Sequence, residues 1–325
     1  RGNHVSSVNY QCAQFFSGIE ACSAMLVQKL TALNGHSRPA ENRSCVGSCT
    51  FPTMIASWRK HWHQASGGAT PAQVPFGFMQ LSTWSDKANG TCGDGLTHAD
   101  SASCDVGVVS TDRFPTPEDF EIRESERCWC CAQVRWGQTA NVGSVPNDKM
   151  PGTFMAVAVD LGDALSPFGD IHPRFKKQMG HRLALAARAA VYADPAVPMN
   201  ATTGPLVAGA ARQSDGSVRL SFRNTGGRLM RKHGVGFELS GADCDLSFPA
   251  QAANGTWTDA RVTGSDDSTV TVAADGLATP LCVRYNWYNA ACMPAVGPEL
   301  CAIYGKAALD EWLPAPPFIR SVSAT

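Results

Sequence analysis

The spacing of hydrophobic positions changes character several times along the chain, and those changes divide it. Phe154 to Leu161 is a nearly unbroken apolar run that includes Val157 and Val159. It is too short for a helix and lacks polar alternation, as expected of a strand buried on both faces of a parallel sheet. The pattern then switches. Phe175, Met179, Leu183, Ala187 and Val191 recur every four residues behind Pro173, which predicts a helix of about 20 residues. The turn from Gly162 to His172 thus leaves the carboxyl end of a strand and enters the amino end of a helix. In open α/β sheets that edge is where ligands and catalytic groups collect.

The same alternation occurs upstream. Phe51, Ile55, Trp58 and Trp62 keep a four-residue period around Phe51-Pro52, predicting a helix with Arg59 and Lys60 on its wet side. Val74 to Leu81 (VPFGFMQL) reads as the next buried strand, so helix and strand alternate as βα units require. Ile19 to Leu33 has helix-forming composition, and Asn34 to Gly47 reads as loop. From Ser82 to about Cys131 the period disappears, and Cys92, Cys104, Cys128, Cys130 and Cys131 fall within that stretch. A surface insertion at about 83–131, stapled by disulfides, is the expectation. Residues 135–151 read as a connecting loop interrupted by Pro146 and Pro151. Beyond a Pro-rich boundary at 195–205, Ser217 to Asn224 and Thr269 to Ala273 alternate with period two. The predicted organisation is an α/β unit over residues 1–200 and an all-β, β-sandwich-like accessory domain over 201–325.

Composition narrows the class. The chain has 325 residues and a net charge of -1, so it carries no basic footprint for nucleic acid. No apolar span reaches the ~20 residues of a membrane helix. Thirteen Cys, together with Asn-x-Ser/Thr sequons at Asn42, Asn89, Asn200 and Asn254, point to the secretory pathway. The odd cysteine count leaves at least one thiol free or bonded outside this chain. Cys128-Trp129-Cys130-Cys131 invites a zinc reading, but structural zinc sites use two such pairs and the second is missing, so disulfides are favoured. His61 and His63 could ligate a metal as a pair; a polar patch at a helix end is the simpler reading. No metal or other cofactor is expected.

His172, within Asp170-Ile171-His172-Pro173, is the sharpest candidate for chemistry. Imidazole is the usual base for activating a serine, and a carboxylate fixes its tautomer and stabilises the imidazolium that forms. Asp160, Asp163 and Asp170 are all near enough in sequence to serve. The bland alternative is a loop histidine at a helix start. No Gly-x-Ser-x-Gly elbow and no Gly-Asp-Ser or Gly-Gln-Ser block occurs, so no nucleophile is visible. Arg135 and Arg174 are the cations nearest the proposed edge and could hold an anion in bidentate fashion. Trp58, Trp62 and Trp136 read as core, with a sugar-stacking platform as the other possibility.

Several blocks together carry a resemblance. They are Cys49 to Arg59 (CTFPTMIASWR), Pro75 to Ser82 (PFGFMQLS), Arg135 to Ala140 (RWGQTA), Val145 to Leu161 (VPNDKMPGTFMAVAVDL), Ser166 to Arg174 (SPFGDIHPR) and Leu313 to Ile319 (LPAPPFI). In these residues the chain resembles the sialate O-acetylesterases, carbohydrate esterases of the GDSL/SGNH-hydrolase type. The resemblance implies part of a three-layer α/β domain with a parallel sheet, and hydrolysis of acetyl esters, above all the 9-O-acetyl group of sialic acids. It makes His172 the catalytic base and Asp170 its acidic partner, and it expects Arg135, Gln138 and Arg174 to bind substrate. The family's serine, in a Gly-Gln-Ser-Asn block, would lie upstream of Arg1, so the N-terminal chain of the same precursor is the expected partner beside the O-acetylated glycan. The rival expectation is an inactive glycan-binding protein that keeps the fold without the serine.

Overall fold

A computed structural model describes residues 43–83, 130–163, 166–168, 172–232, 236–244, 257–287, 292 and 301–324. The helix expected at Ile19 to Leu33, nearly all of the insertion, and Asp170 lie outside those residues.

Helix α1 spans Arg43–Ala65, starting well before Phe51 and carrying Pro52 inside it. Its inward residues are Ile55 and Arg59, at 2% and 5% exposure, while Trp58 and Trp62 are exposed. Arg59 therefore does not sit on a wet side. Its Nε donates to Val74 O at 2.9 Å, Nη1 to Pro151 O at 2.8 Å and Nη2 to Gly152 O at 3.0 Å. A polar label hid this inward use, because an arginine stem is apolar and its planar head can satisfy several buried carbonyls at once. Those carbonyls precede strands β1 (Phe76–Met79) and β2 (Thr153–Ala156), so one side chain clamps the entries to both.

Between them lies helix α2 (Cys130–Gly137), which makes residues 135–137 helical where a loop was expected. Strands β1 and β2 pair in parallel, Phe76 opposite Thr153 through Met79 opposite Ala156. The predicted strand from Phe154 to Leu161 is buried along its whole length, but its ladder stops at Ala156; burial continues through Asp163 without strand geometry. Helix α3 (Lys176–Ala190) follows and packs on both strands. Its buried stripe is Arg182, Leu185 and Ala186 rather than the Leu183 line, and Val191 is exposed. The stripe is displaced because Arg182 is drawn inward to a buried carboxylate.

The parallel pair depends on a missing side chain. A Cβ at Gly77 would stand 2.2 Å from Cε2 of Phe154, its partner on β2. Gly77→Ala is expected to destabilise the fold by about 1–3 kcal/mol through overpacking, read from urea unfolding. An unchanged midpoint would mean that the Phe154 ring can swing aside.

Residues beyond 200 are dominated by antiparallel strands: β3 (Leu206–Arg212), β4 (Val218–Arg223), β5 (Leu229–Arg231), β6 (Phe237–Ser240), β7 (Thr258–Ser265), β8 (Thr269–Ala273), β9 (Cys282–Tyr285), β10 (Ile303–Lys306), β11 (Trp312–Pro314) and β12 (Phe318–Ser321). The two segments predicted from period two are β4 and β8, and Val218, Leu220, Phe222, Val270 and Val272 are buried as that alternation requires. Seven strands form one sheet in the order β12-β9-β6-β7-β8-β4-β3. Its ends meet: Arg212 N donates to Ser323 O at 2.9 Å and Ser323 N to Ala210 O at 3.0 Å. The result is a nearly closed barrel in place of the expected sandwich, with Leu220, Leu239, Val270, Val283 and Tyr285 inside. Strands β11, β10 and β5 make a second, three-stranded sheet.

The two parts are joined by shared packing. Tyr304 on β10 is buried with Ile55, Phe78, Val157 and Val159 from the α/β part. Trp136 on α2 meets Trp287 edge-on at 5.6 Å. Two disulfides, Cys244–Cys282 and Cys292–Cys301, staple the β part. The expected three-layer sheet is seen only in part, as two parallel strands among the described residues.

Candidate active site

Three of the predicted residues contact segments that leave the parallel pair: Arg135 and Gln138 the one after β1, and Arg174 the one after β2. His172 is exposed in the latter segment, just ahead of α3. Its backbone is held on both sides. Ser166 Oγ donates to His172 O at 2.7 Å, and Pro173 is buried. Two residues on, Arg174 donates from its backbone N to Asp163 Oδ2 at 3.0 Å, from Nε to Oδ2 at 2.7 Å and from Nη2 to Oδ1 at 3.0 Å. Asp163 is buried at 5% exposure, whereas the Arg174 side chain is 52% exposed. The carboxylate thus ties the turn's exit to its entry and holds the Arg174 guanidinium still more firmly protonated, through the side-chain hydrogen bond first. No described residue hydrogen-bonds to the imidazole of His172.

Of the three carboxylates near His172 in sequence, two are committed elsewhere. Asp163 serves Arg174. Asp160 is fully buried and takes a two-point grip from Arg182, Nη1 to Oδ1 at 2.6 Å and Nη2 to Oδ2 at 2.9 Å. Tyr304 Oη donates to Asp160 Oδ2 at 3.1 Å, and Tyr304 Oη itself accepts from Cys301 N at 3.0 Å. Burial first, then the Asp160 charge, pushes the Tyr304 phenol far up, so it stays a protonated donor. The third carboxylate, Asp170, lies outside the described residues.

Arg135 lies beneath the segment that leaves β1. It is 0% exposed, donating from Nε to Leu81 O and from Nη2 to Ser82 O, both at 2.9 Å. These two backbone carbonyls hold it because α2 packs it under that segment. Gln138 works on the same segment. Its Oε1 accepts from Leu81 N at 2.8 Å and its Nε2 donates to Met79 O at 3.1 Å, extending the ladder of β1 by one side chain. Both residues therefore fix that segment's backbone.

Sequence reasoning passed over the residues that segment carries. Gln80 Oε1, Ser82 Oγ and Thr83 Oγ1 are buried and have no hydrogen-bond partner among the described residues. The only signal was that Gln80 and Ser82 close the block Pro75 to Ser82; Thr83, just beyond it, had none. Trp136 belongs to the core, at 4% exposure, while Trp58 and Trp62 are exposed on α1 with their rings tilted and their centroids 5.7 Å apart. His63 uses Nδ1 on Thr70 O at 2.7 Å. Among the described residues, no group of three or more His, Cys, Asp or Glu is arranged to hold a metal. The side chains of Cys128, Cys130 and Cys131 lie outside the description.

Known proteins resemble this chain in sequence and in fold. A model of the sialate O-acetylesterase C-terminal domain matches residues 209–322. The chain is 33% identical over 301 residues to a sialate O-acetylesterase of Mus musculus, covering 92% of this chain and 45% of the relative. It is 32% identical over 277 residues to one of Homo sapiens, covering 85% and 42%. The chain thus spans about half the length of the curated relatives it matches. A crystal structure of a carbohydrate acetylesterase from Xanthomonas citri shares the fold at a TM-score of 0.53 with 24% identity, covering 85% of this chain and 46% of that one. By sequence, the chain is similar to the sialate O-acetylesterases over most of its length, and residues 209–322 match the C-terminal domain of that family.

Proposed function

We propose that this chain is the distal part of a serine-type carbohydrate O-acetylesterase that removes acetyl, above all the 9-O-acetyl group, from sialic acids. The observation that carries the reading is an exposed imidazole at the carboxyl rim of a parallel pair, with its backbone fixed by Ser166 on one side and by Asp163 through Arg174 on the other. Residues 1–200 form part of an SGNH-like three-layer domain, and 201–325 an accessory domain buttressing it. The nucleophilic serine comes from a segment upstream of this chain, such as the N-terminal chain of the same precursor. Gln80, Ser82 and Thr83 offer that segment acceptors which no described residue uses.

In this mechanism His172 takes the proton of the serine hydroxyl as the oxygen attacks the acetyl carbonyl. The tetrahedral intermediate collapses, His172 returns the proton to the departing sugar oxygen, and an acetyl-serine remains. Water, deprotonated by the same imidazole, then releases acetate and restores the serine. Asp170 fixes the imidazole tautomer. Arg174, half-exposed two residues from His172, meets the substrate carboxylate with the part of its guanidinium that Asp163 leaves free. Gln138 and Arg135 act through the 79–82 backbone they hold. The disulfides fit a protein of the secretory pathway, lysosomal or extracellular.

The test is acetate release by the longer protein that contains this chain. It is expected to hydrolyse 9-O-acetyl-N-acetylneuraminic acid about tenfold or more faster than an acetylated neutral sugar, because Arg174 rewards the carboxylate. Absence of acetate from either substrate would return the chain to the inactive glycan-binding reading.

A further inference from the structure

On the opposite side of the parallel pair from His172, where β1 and β2 begin, lies a cavity of about 360 Å³. Its wall includes Arg59, Lys60, His63 and Lys149 and, among the described residues, no carboxylate. Arg59 is 5% exposed, and among the described residues its charge is met only by the carbonyls of Val74, Pro151 and Gly152. A buried cation with neutral partners alone keeps an unbalanced field, and a low-dielectric wall focuses it into the nearest open space. Burial also works against that charge, lowering the guanidinium's affinity for its proton.

The other cations add to the same field. Lys149 Nζ is steadied on Ala140 O at 3.1 Å, and Lys60 is exposed with no ion pair among the described residues. His63 donates from Nδ1 to Thr70 O, which leaves Nε2 a ready acceptor for a hydroxyl. Ile55 and Met150 supply apolar wall, and the amides of Gln64 and Gln73 can both donate and accept. The volume suits a ligand of one or two sugar rings. Positive charge, one apolar wall, amides and a hydroxyl acceptor together describe a hydroxylated ring that bears a carboxylate.

We propose that this cavity binds a carboxylate-bearing sugar, at a site separate from the catalytic rim. Such a site would tether an acidic glycan to the face opposite the chemistry, raising its local concentration at the rim without taking part in the reaction.

The test is calorimetric titration of the purified protein with sodium glucuronate and with glucuronamide, a neutral isostere of the same ring. Glucuronate is expected to bind about tenfold or more tightly than the amide, and the Lys60→Glu/Lys149→Glu variant to lose about tenfold or more of that affinity. Lys60→Ala, at an exposed helix position, supplies a variant that keeps the fold and is expected to weaken glucuronate but not glucuronamide. N-acetylneuraminate binding that survives His172→Ala but not Lys60→Glu/Lys149→Glu places the ligand in the cavity rather than at the rim. Equal affinity for acid and amide, or unchanged glucuronate binding in Lys60→Ala and in the double variant, would overturn the proposal. Neither result depends on whether the protein releases acetate.

Discussion

Arg182→Ala is expected to lower stability by about 3–5 kcal/mol in urea unfolding, because it leaves a buried carboxylate without its counter-charge. Asp160 is 0% exposed, and after the change its remaining described side-chain donor is the Tyr304 hydroxyl. Arg182 also donates to Val157 O at 2.9 Å, so the substitution strands a buried carbonyl as well. The comparison that isolates burial is Arg219→Ala, whose partner Asp266 sits with it in solvent at a 3.3 Å contact. That variant is expected to leave the midpoint nearly unmoved, since exposed pairs are screened by water. The Asp160 network also ties together three parts of the molecule: the buried run after β2, helix α3, and β10 of the β part. Its loss should therefore disturb the turn that carries His172 in addition to weakening the fold. An Arg182→Ala protein with wild-type stability would show that the pair's desolvation cost cancels its attraction and that nothing is left stranded.

What the sequence disclosed, and what it concealed, follows from the kind of physics involved. Period two in Ser217 to Asn224 marked β4, because a strand with one face in a core must alternate. The apolar run from Phe154 marked the buried passage through the core, but apolarity reports burial and not hydrogen bonding. The end of the ladder at Ala156 was therefore invisible. Arg59 was placed outside and Arg135 at a site because charge usually means solvent, and Arg182 drew no reading at all. All three are buried, satisfied by carbonyls or by a carboxylate far away in the chain, at separations no local pattern can encode. Curvature of the seven-stranded sheet was hidden for a similar reason, since it depends on Ala210 and Arg212 meeting Ser323 across more than a hundred residues. The strand-to-helix transition put His172 in the turn ahead of a helix, and it is exposed just before α3. The tie between Asp163 and Arg174 was not legible, because either side chain could equally have faced a substrate.

The central claim is that the His172 imidazole is the general base of an acetyl transfer whose nucleophile lies upstream. Its measure is the initial rate of acetate release from 9-O-acetyl-N-acetylneuraminic acid by the longer protein, wild type against His172→Ala. His172 is exposed, and its side chain is no described residue's hydrogen-bond partner, so the substitution should leave unfolding unchanged. A base that acts as a unit with its nucleophile is expected to lose turnover by a factor of about 10³ or more, with KM little changed. A folded His172→Ala enzyme turning over at near wild-type rate would contradict the account.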